Sequence, residues 1–195
     1  PADAEQHLRK ATEEAPRFCQ AHFNLGMAVE RQGRTDEALV HWLKITSIAN
    51  RDNPDELALV VAALNQIGRV QETLKNYPQA ESALFQSLSL DPKQPDALQH
   101  WIHLRQKQCK WPVYQEFGQV RQYDMLTATS PLAMLALTDD PLRQLISSQS
   151  FVARKFNFPV TKQGPKPYKH KKIRLGYVSG DFCTHAVGLL LPDFL

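Results

Sequence analysis

The feature that most constrains this chain is a repeated spacing of small and large apolar residues. Leu25-Gly26, Ala38 and Trp42 return forty-two residues later as Ile67-Gly68, Ala80 and Leu84. Thirty-four residues before Ala38, Trp42 and Ile45 stand Ala4, Leu8 and Ala11. Self-similarity at this period means stacked helix–turn–helix units, because one such unit cannot bury its apolar face alone. The small residues have a mechanical reason. Gly26 and Gly68 fall in the first helix of a pair and Ala38 and Ala80 in the second, where two antiparallel helices approach closely. A larger side chain at these places would push the helices apart. Gly33-Arg34-Thr35-Asp36 supplies the turn between them.

This pattern resembles the tetratricopeptide repeat over three copies. The first copy has only its second helix, and the third begins after an eight-residue excess over the 34-residue period. Asn53-Pro54-Asp55-Glu56 marks that start, with an N-cap, a proline at the first helical position and early acids facing the helix dipole. A half-repeat follows from Pro95 to Trp111, with Leu98, Trp101, Ile102 and Leu104 as its buried stripe. With the next helix it covers the last apolar face of the stack. The resemblance implies polypeptide partners held along the concave surface of the first helices. Asn24, Gln66 and His100 occupy equivalent sites there. Amides at successive sites hold a peptide backbone without reading its side chains. The same spacing fits three merely solvated side chains equally well.

Composition narrows the classes. No run reaches the roughly 20 apolar residues of a membrane span, so no membrane partner is expected. Cys19, Cys109 and Cys183 are odd in number and irregularly spaced, so they make no disulfide framework, and a reducing, cytoplasmic compartment is the default. The net charge of +3 hides an asymmetry: residues 1–150 hold 15 Lys/Arg against 18 Asp/Glu, whereas residues 151–174 hold eight basic side chains and no acid. With Pro159, Pro165 and Pro167 in it, the basic stretch reads as a solvated linker in preference to a nucleic-acid site. Residues 112–158 break the repeat register and read as a helical connector. Tyr114, Phe117, Val120, Tyr123 and Met125 predict one apolar face of a helix over Val113–Leu126. A segment from Ser130-Pro131 is expected to bury Leu132, Met134, Leu135 and Leu137. Asp139-Asp140-Pro141 then caps a helix running to about Phe156.

The last residues change character. Ile173–Ser179 predicts a strand, Gly180-Asp181 a loop, and Thr184 the cap of a helix starting near His185. Nucleotide-binding α/β domains open with strand, glycine loop and helix, although Gly176, Gly180 and Gly188 do not form the G-x-G-x-x-G fingerprint. Ligands of open α/β folds sit at the carboxyl ends of strands, where Asp181 and His185 fall. A histidine at a helix start is favoured neutral, able to accept a proton or bond a sugar or phosphate oxygen. It serves as readily to satisfy loop carbonyls. Cys183 and His185 alone are too few for a metal site, and no metal is expected.

Repeats ending in Pro95-Asp96-Ala97-Leu98 and Cys109-Lys110-Trp111 are followed by Arg174-Leu-Gly-Tyr-Val-Ser-Gly-Asp-Phe182 and His185-Ala186-Val187. Together these resemble the O-linked N-acetylglucosamine transferase/SPINDLY family. The resemblance implies repeats joined to two Rossmann-like lobes that move a sugar from a nucleotide-sugar donor, UDP-GlcNAc or similar, to Ser or Thr hydroxyls without a metal. Of the family's cleft residues only the one matching His185 transfers, as a candidate base, with Gly180 and Asp181 in the loop beside it. The family's repeats are lined by asparagines, and here only Asn24 keeps that pattern while Gln66 and His100 depart from it. The expected fold is therefore mainly α: a helical solenoid over residues 1–111, a helical connector over 112–158, a basic linker over 159–172, and the first strand and helix of an incomplete α/β, Rossmann-like lobe over 173–195. On this reading the chain is an inactive fragment of a protein O-glycosyltransferase whose repeats present the acceptor. The alternative is a non-catalytic scaffold for protein–protein interaction.

Overall fold

Each stretch of repeated spacing becomes a helix that packs on the one before it. The computed structural model describes residues 2–156, 171, 172, 174 and 176–191. They fall into two units, Pro1–Asn157 and Phe158–Leu195. The first opens with α1 (Ala2–Glu14), α2 (Cys19–Glu30), α3 (Thr35–Ile48), α4 (Pro54–Thr73), α5 (Tyr77–Leu90) and α6 (Pro95–Lys107). Each of these contacts its neighbours in sequence, and α2 also touches α4, as in repeats stacked along one direction. No helix among the described residues is long and apolar enough to cross a membrane.

The small residues sit where the spacing placed them. A Cβ on Gly26 would lie 2.8 Å from Cε2 of Trp42, and one on Gly68 would lie 2.8 Å from Cγ of Leu84. Ala38, Ala80 and Trp42 are fully buried. The eight-residue excess goes into one helix, because α4 has 20 residues where α2 has 12. Its extra turns lie at the amino end, where Asn53 accepts from the Asp55 N–H at 3.0 Å and Pro54 opens the helix. Glu56 on those turns accepts from the Asn50 N–H at 2.7 Å and from the Cys19 thiol at 3.7 Å, which ties the extension to α2 and the end of α3.

Beyond α6 the expected helix over Val113–Leu126 does not form. Residues 113–121 make a turn with a single bridge between Phe117 and Val120, Gly118 takes a φ of 50°, and the helix α7 covers only Gln122–Ala128. Arg105 is the reason. Its buried guanidinium donates from Nε to the Val113 carbonyl at 3.0 Å and from Nη2 to the Pro112 carbonyl at 2.9 Å. A helix starting there would need the Val113 carbonyl for the N–H four residues on. Most of the expected apolar residues still turn inward: Val113, Val120 and Met125 join Trp101, Ile102 and Leu104 in one core with Tyr114 and Phe117 packed on it, whereas Tyr123 is 67% exposed on the short α7.

Two capped helices complete the unit. In α8 (Pro131–Leu135) Ser130 Oγ accepts from the Ala133 N–H at 3.3 Å, and in α9 (Pro141–Lys155) Asp140 accepts from the Leu142 N–H at 2.9 Å. Of the four apolar residues expected inside around α8, Met134 is buried and Leu137 packs on the core. Leu132 and Leu135 are instead 80% and 64% exposed, since a five-residue helix lying on α9 buries only one side.

In the second unit the expected strand over Ile173–Ser179 is absent among the described residues: Arg174 and Gly176–Ser179 belong to no strand, and Val178 is 99% exposed. A single strand has no ladder to join, and isolated pairing is marginal even with two. Ile173 and Leu175 lie outside the described residues, as does the linker over 159–172 except for Lys171 and Lys172. The short helix does form, as α10 (Ala186–Leu190). The Leu189 N–H donates to the His185 carbonyl at 2.9 Å, so His185 rather than Thr184 directly precedes the first turn.

One turn recurs through the stack. Gly33, Lys75 and Cys109 hold the same repeat position and have φ of 82°, 63° and 53°. Their N–H groups donate to the carbonyls of Glu30, Glu72 and Gln106 at 2.8, 2.8 and 2.9 Å. The following N–H groups, of Arg34, Asn76 and Lys110, reach back to Val29, Gln71 and Arg105 at 3.1, 2.8 and 2.9 Å. This is the Schellman end of a helix, which favours glycine at its left-handed residue. Only the first copy carries glycine. A side chain there costs about 1–2 kcal/mol, partly offset by the freedom glycine adds to the unfolded chain. Lys75→Gly and Cys109→Gly are therefore each expected to raise unfolding free energy by roughly 0.5–1 kcal/mol in urea titrations. Destabilisation by both changes would contradict this account of the turn.

Candidate interaction surface

The first helices of the repeats, α2, α4 and α6, are joined by polar contacts along one face. Arg69 of α4 donates to Glu30 of α2 at 2.6 Å and to Gln66, one turn away, at 3.0 Å. Glu72 of α4 meets His100 Nε2 at 2.5 Å and accepts from Lys107 Nζ at 2.8 Å, both on α6, with His103 at 4.0 Å. Partial burial pushes the Glu72 carboxyl up, but the hydrogen bonds from Lys107 and His100 outweigh it and hold the carboxyl below its usual range. These side chains are partly exposed and hold one another in place.

The three residues singled out by the repeat register lie at equivalent turns of α2, α4 and α6, and each has a different neighbour. Asn24 is exposed, and its Oδ1 accepts from Gln20 Nε2 at 3.1 Å along the same helix. Gln66 is half-buried and uses its carbonyl on Arg69. His100 is clasped by Glu72. They therefore form no uniform ladder: two positions carry amides and the third an imidazole in contact with a carboxylate. In the second unit Gly180, Asp181 and His185 are all exposed in the loop leading to α10, and the Asp181 N–H donates to Ser179 Oγ at 3.0 Å.

Residues 17–93 match the family model of the tetratricopeptide repeat. That segment runs from just before α2 to just after α5 and is similar to a tetratricopeptide-repeat array, and α1 and α6 extend its packing on either side. A comparison with curated proteins gives no match.

Sequence reasoning missed the polar cluster that organises the end of the stack. Arg105 Nη1 donates to Glu81 Oε1 at 3.0 Å, and Lys110 and Gln108 donate to Glu81 Oε2 at 2.5 and 2.9 Å. The charged residues are visible in sequence, but nothing in their spacing couples position 81 to position 105. It also missed a pair of stacked histidines between α2 and α3. His22 is buried, its Nε2 lies 3.1 Å from the Pro16 carbonyl and its Nδ1 lies 3.3 Å from Nδ1 of His41. A carbonyl only accepts, so His22 carries its proton on Nε2 and His41 donates from Nδ1. His41 Nε2 then faces Glu37 at 4.0 Å.

Burial pushes both imidazoles below the usual histidine value. Lys44 adds to this at His22, against the Pro16 hydrogen bond, and His22, Arg9 and Lys44 add to it at His41, against Glu37. The unfolded chain takes up these protons near 6.5, while the folded chain resists them to lower pH. Below about pH 6.5 the unfolded state thus binds more protons and stability falls as pH drops, by at most about 1.4 kcal/mol per unit for each histidine. Thermal unfolding from pH 7.5 to 5 is expected to show this loss, and His41→Gln to flatten it. An unchanged slope in His41→Gln would remove the pair as its source.

Proposed function

We propose that this chain is a polypeptide-binding scaffold that holds extended partners on the face of α2, α4 and α6. The observation that carries the reading is the pre-tied polar row running from Glu30 through Arg69 and from Glu72 to His100 and Lys107. Fixed donors and acceptors lose little freedom when a partner binds, and Asn24 and Gln66 offer amides to a peptide backbone. Tetratricopeptide repeats typically bind protein partners, which fits. Peptides selected on the 195-residue chain from a random display library should bind Asn24→Ala/Gln66→Ala several-fold more weakly, while Val40→Ser, on an exposed position of α3, should leave affinity unchanged. Equal affinity for all three proteins would place the partner elsewhere.

A second reading keeps the resemblance of residues 174–187 to protein O-glycosyltransferases. What favours it is the set of bulky apolar side chains standing exposed there, Tyr177, Val178 and Phe182, in a sequence suited to pairing with further strands. In that reading the repeats present the acceptor, a nucleotide sugar of the UDP-GlcNAc kind is the donor, and His185 acts as a base in a cytoplasmic enzyme. The 195-residue chain by itself is then expected to transfer no sugar. Turnover by this chain, or undiminished turnover of the longer enzyme with His185→Ala, would dismiss it.

A further inference from the structure

The connector carries an open cavity of about 260 Å³ between the loop at 111–114, α7, α8 and α9. Its lining includes Trp111, Val113, Tyr114, Met134, Leu137 and Arg143. Val113 and Met134 are buried and make an apolar floor, while Trp111 stands at the rim, 65% exposed. Arg143 is the only charged residue of the lining. Its guanidinium lies 6.0 Å from the centre of the Tyr114 ring. Among the described residues no carboxylate lies within 4.0 Å of it and no acceptor takes its N–H groups. The nearby Asp140 is committed to capping α9 through the Leu142 N–H.

This combination has a consistent chemical sense. A half-buried guanidinium carries five donors in a planar fork suited to a carboxylate. The lining contains no acid, so Arg143 carries its only charge. The volume falls below the roughly 300–1,000 Å³ of small-molecule sites and suits a single bulky side chain. An exposed tryptophan beside an apolar floor and an arginine is the composition of a binding hot spot.

We infer that the connector cavity is a second peptide site, seating a bulky apolar side chain on Val113, Met134 and Leu137 and an adjacent Asp or Glu carboxylate on Arg143. The choice of a peptide as occupant rests on the polypeptide-binding reading above. The apolar side chain supplies the burial and the carboxylate sets the register, through a charge-assisted pair stronger than a neutral hydrogen bond.

The test uses the full chain and three capped pentapeptides, Gly-Gly-Asp-Leu-Gly, Gly-Gly-Asn-Leu-Gly and Gly-Gly-Asp-Ser-Gly, followed by tryptophan emission. Trp42 and Trp101 are buried, so a change on binding reports Trp111. The Asp-Leu peptide is expected to shift emission saturably, and each of the other two to bind at least about fivefold more weakly. Arg143→Gln should remove the preference for Asp over Asn, and Trp111→Phe should remove the signal. No saturable response up to about 10 mM, a weaker affinity than any useful docking site, would overturn the inference. So would equal binding of the Asp-Leu and Asn-Leu peptides, or a preference that survives Arg143→Gln. The readout is confined to Trp111 on the connector, so failure here leaves the display-selected peptides on the α2, α4 and α6 face as a separate result.

Discussion

The repeat stack depends on the missing side chains of Gly26 and Gly68. Even one methyl group on Gly26 would fall within the Trp42 indole, and one on Gly68 would press on Leu84. Because nothing stands there, α3 and α5 close onto α2 and α4, and Trp42 and Leu84 become fully buried. The indole also finds a polar partner, donating from Nε1 to the Phe23 carbonyl of α2 at 3.4 Å. From that contact the first core grows across four helices, with Leu25 and Val29 of α2, Ile45 of α3, Val60 and Ile67 of α4, and Ala83 of α5 in one cluster. Interiors of this density tolerate little added volume, so the register of every later helix is set by this close approach.

The end of the stack is governed by a different interaction. Arg105 and Glu81 form a buried pair whose groups are well matched: the guanidinium serves a carboxylate, two backbone carbonyls and the Gln115 amide, and lies 4.9 Å from the Trp101 ring centre. Partial burial pushes the Glu81 carboxyl up, yet hydrogen bonds from Lys110, Gln108 and Arg105 hold it below its usual range. Such a pair gains stability only when its hydrogen bonds are satisfied, and here they are. By taking the carbonyls of Pro112 and Val113 it stops the chain from continuing as repeats, turns the next residues across α6, and so creates the walls of the connector cavity.

Much of this was legible in sequence. Helix starts at Asn53-Pro54, Ser130-Pro131 and Asp140-Pro141 follow from capping chemistry, which acts within a few residues. The buried stripe of Leu98, Trp101, Ile102 and Leu104 follows from helical periodicity. The expected helix over Val113–Leu126 failed because its apolar spacing of three suits an inward-facing turn as well as a helix, and a distant arginine chose between them. The expected strand over Ile173–Ser179 failed for a related reason: a strand is a property of a sheet, and its sequence does not provide the neighbour. Register puts Asn24, Gln66 and His100 at equivalent turns of α2, α4 and α6, but register says nothing of partners. It could not show that His100 is bound to Glu72 or that the Gln66 amide oxygen is taken by Arg69.

The sequence by itself determined the number, order and pairing of the repeat helices, because small residues at fixed spacing and local caps act through neighbours a few residues away. Only the tertiary structure decided how the chain crosses the last repeat and which polar groups remain available. Those outcomes depend on pairs such as Glu81 with Arg105, His22 with His41 and Arg143 with Tyr114, which stand 19 to 29 residues apart in the chain. Each pair is brought together by packing, and each is governed by burial and hydrogen-bond geometry that no spacing rule encodes.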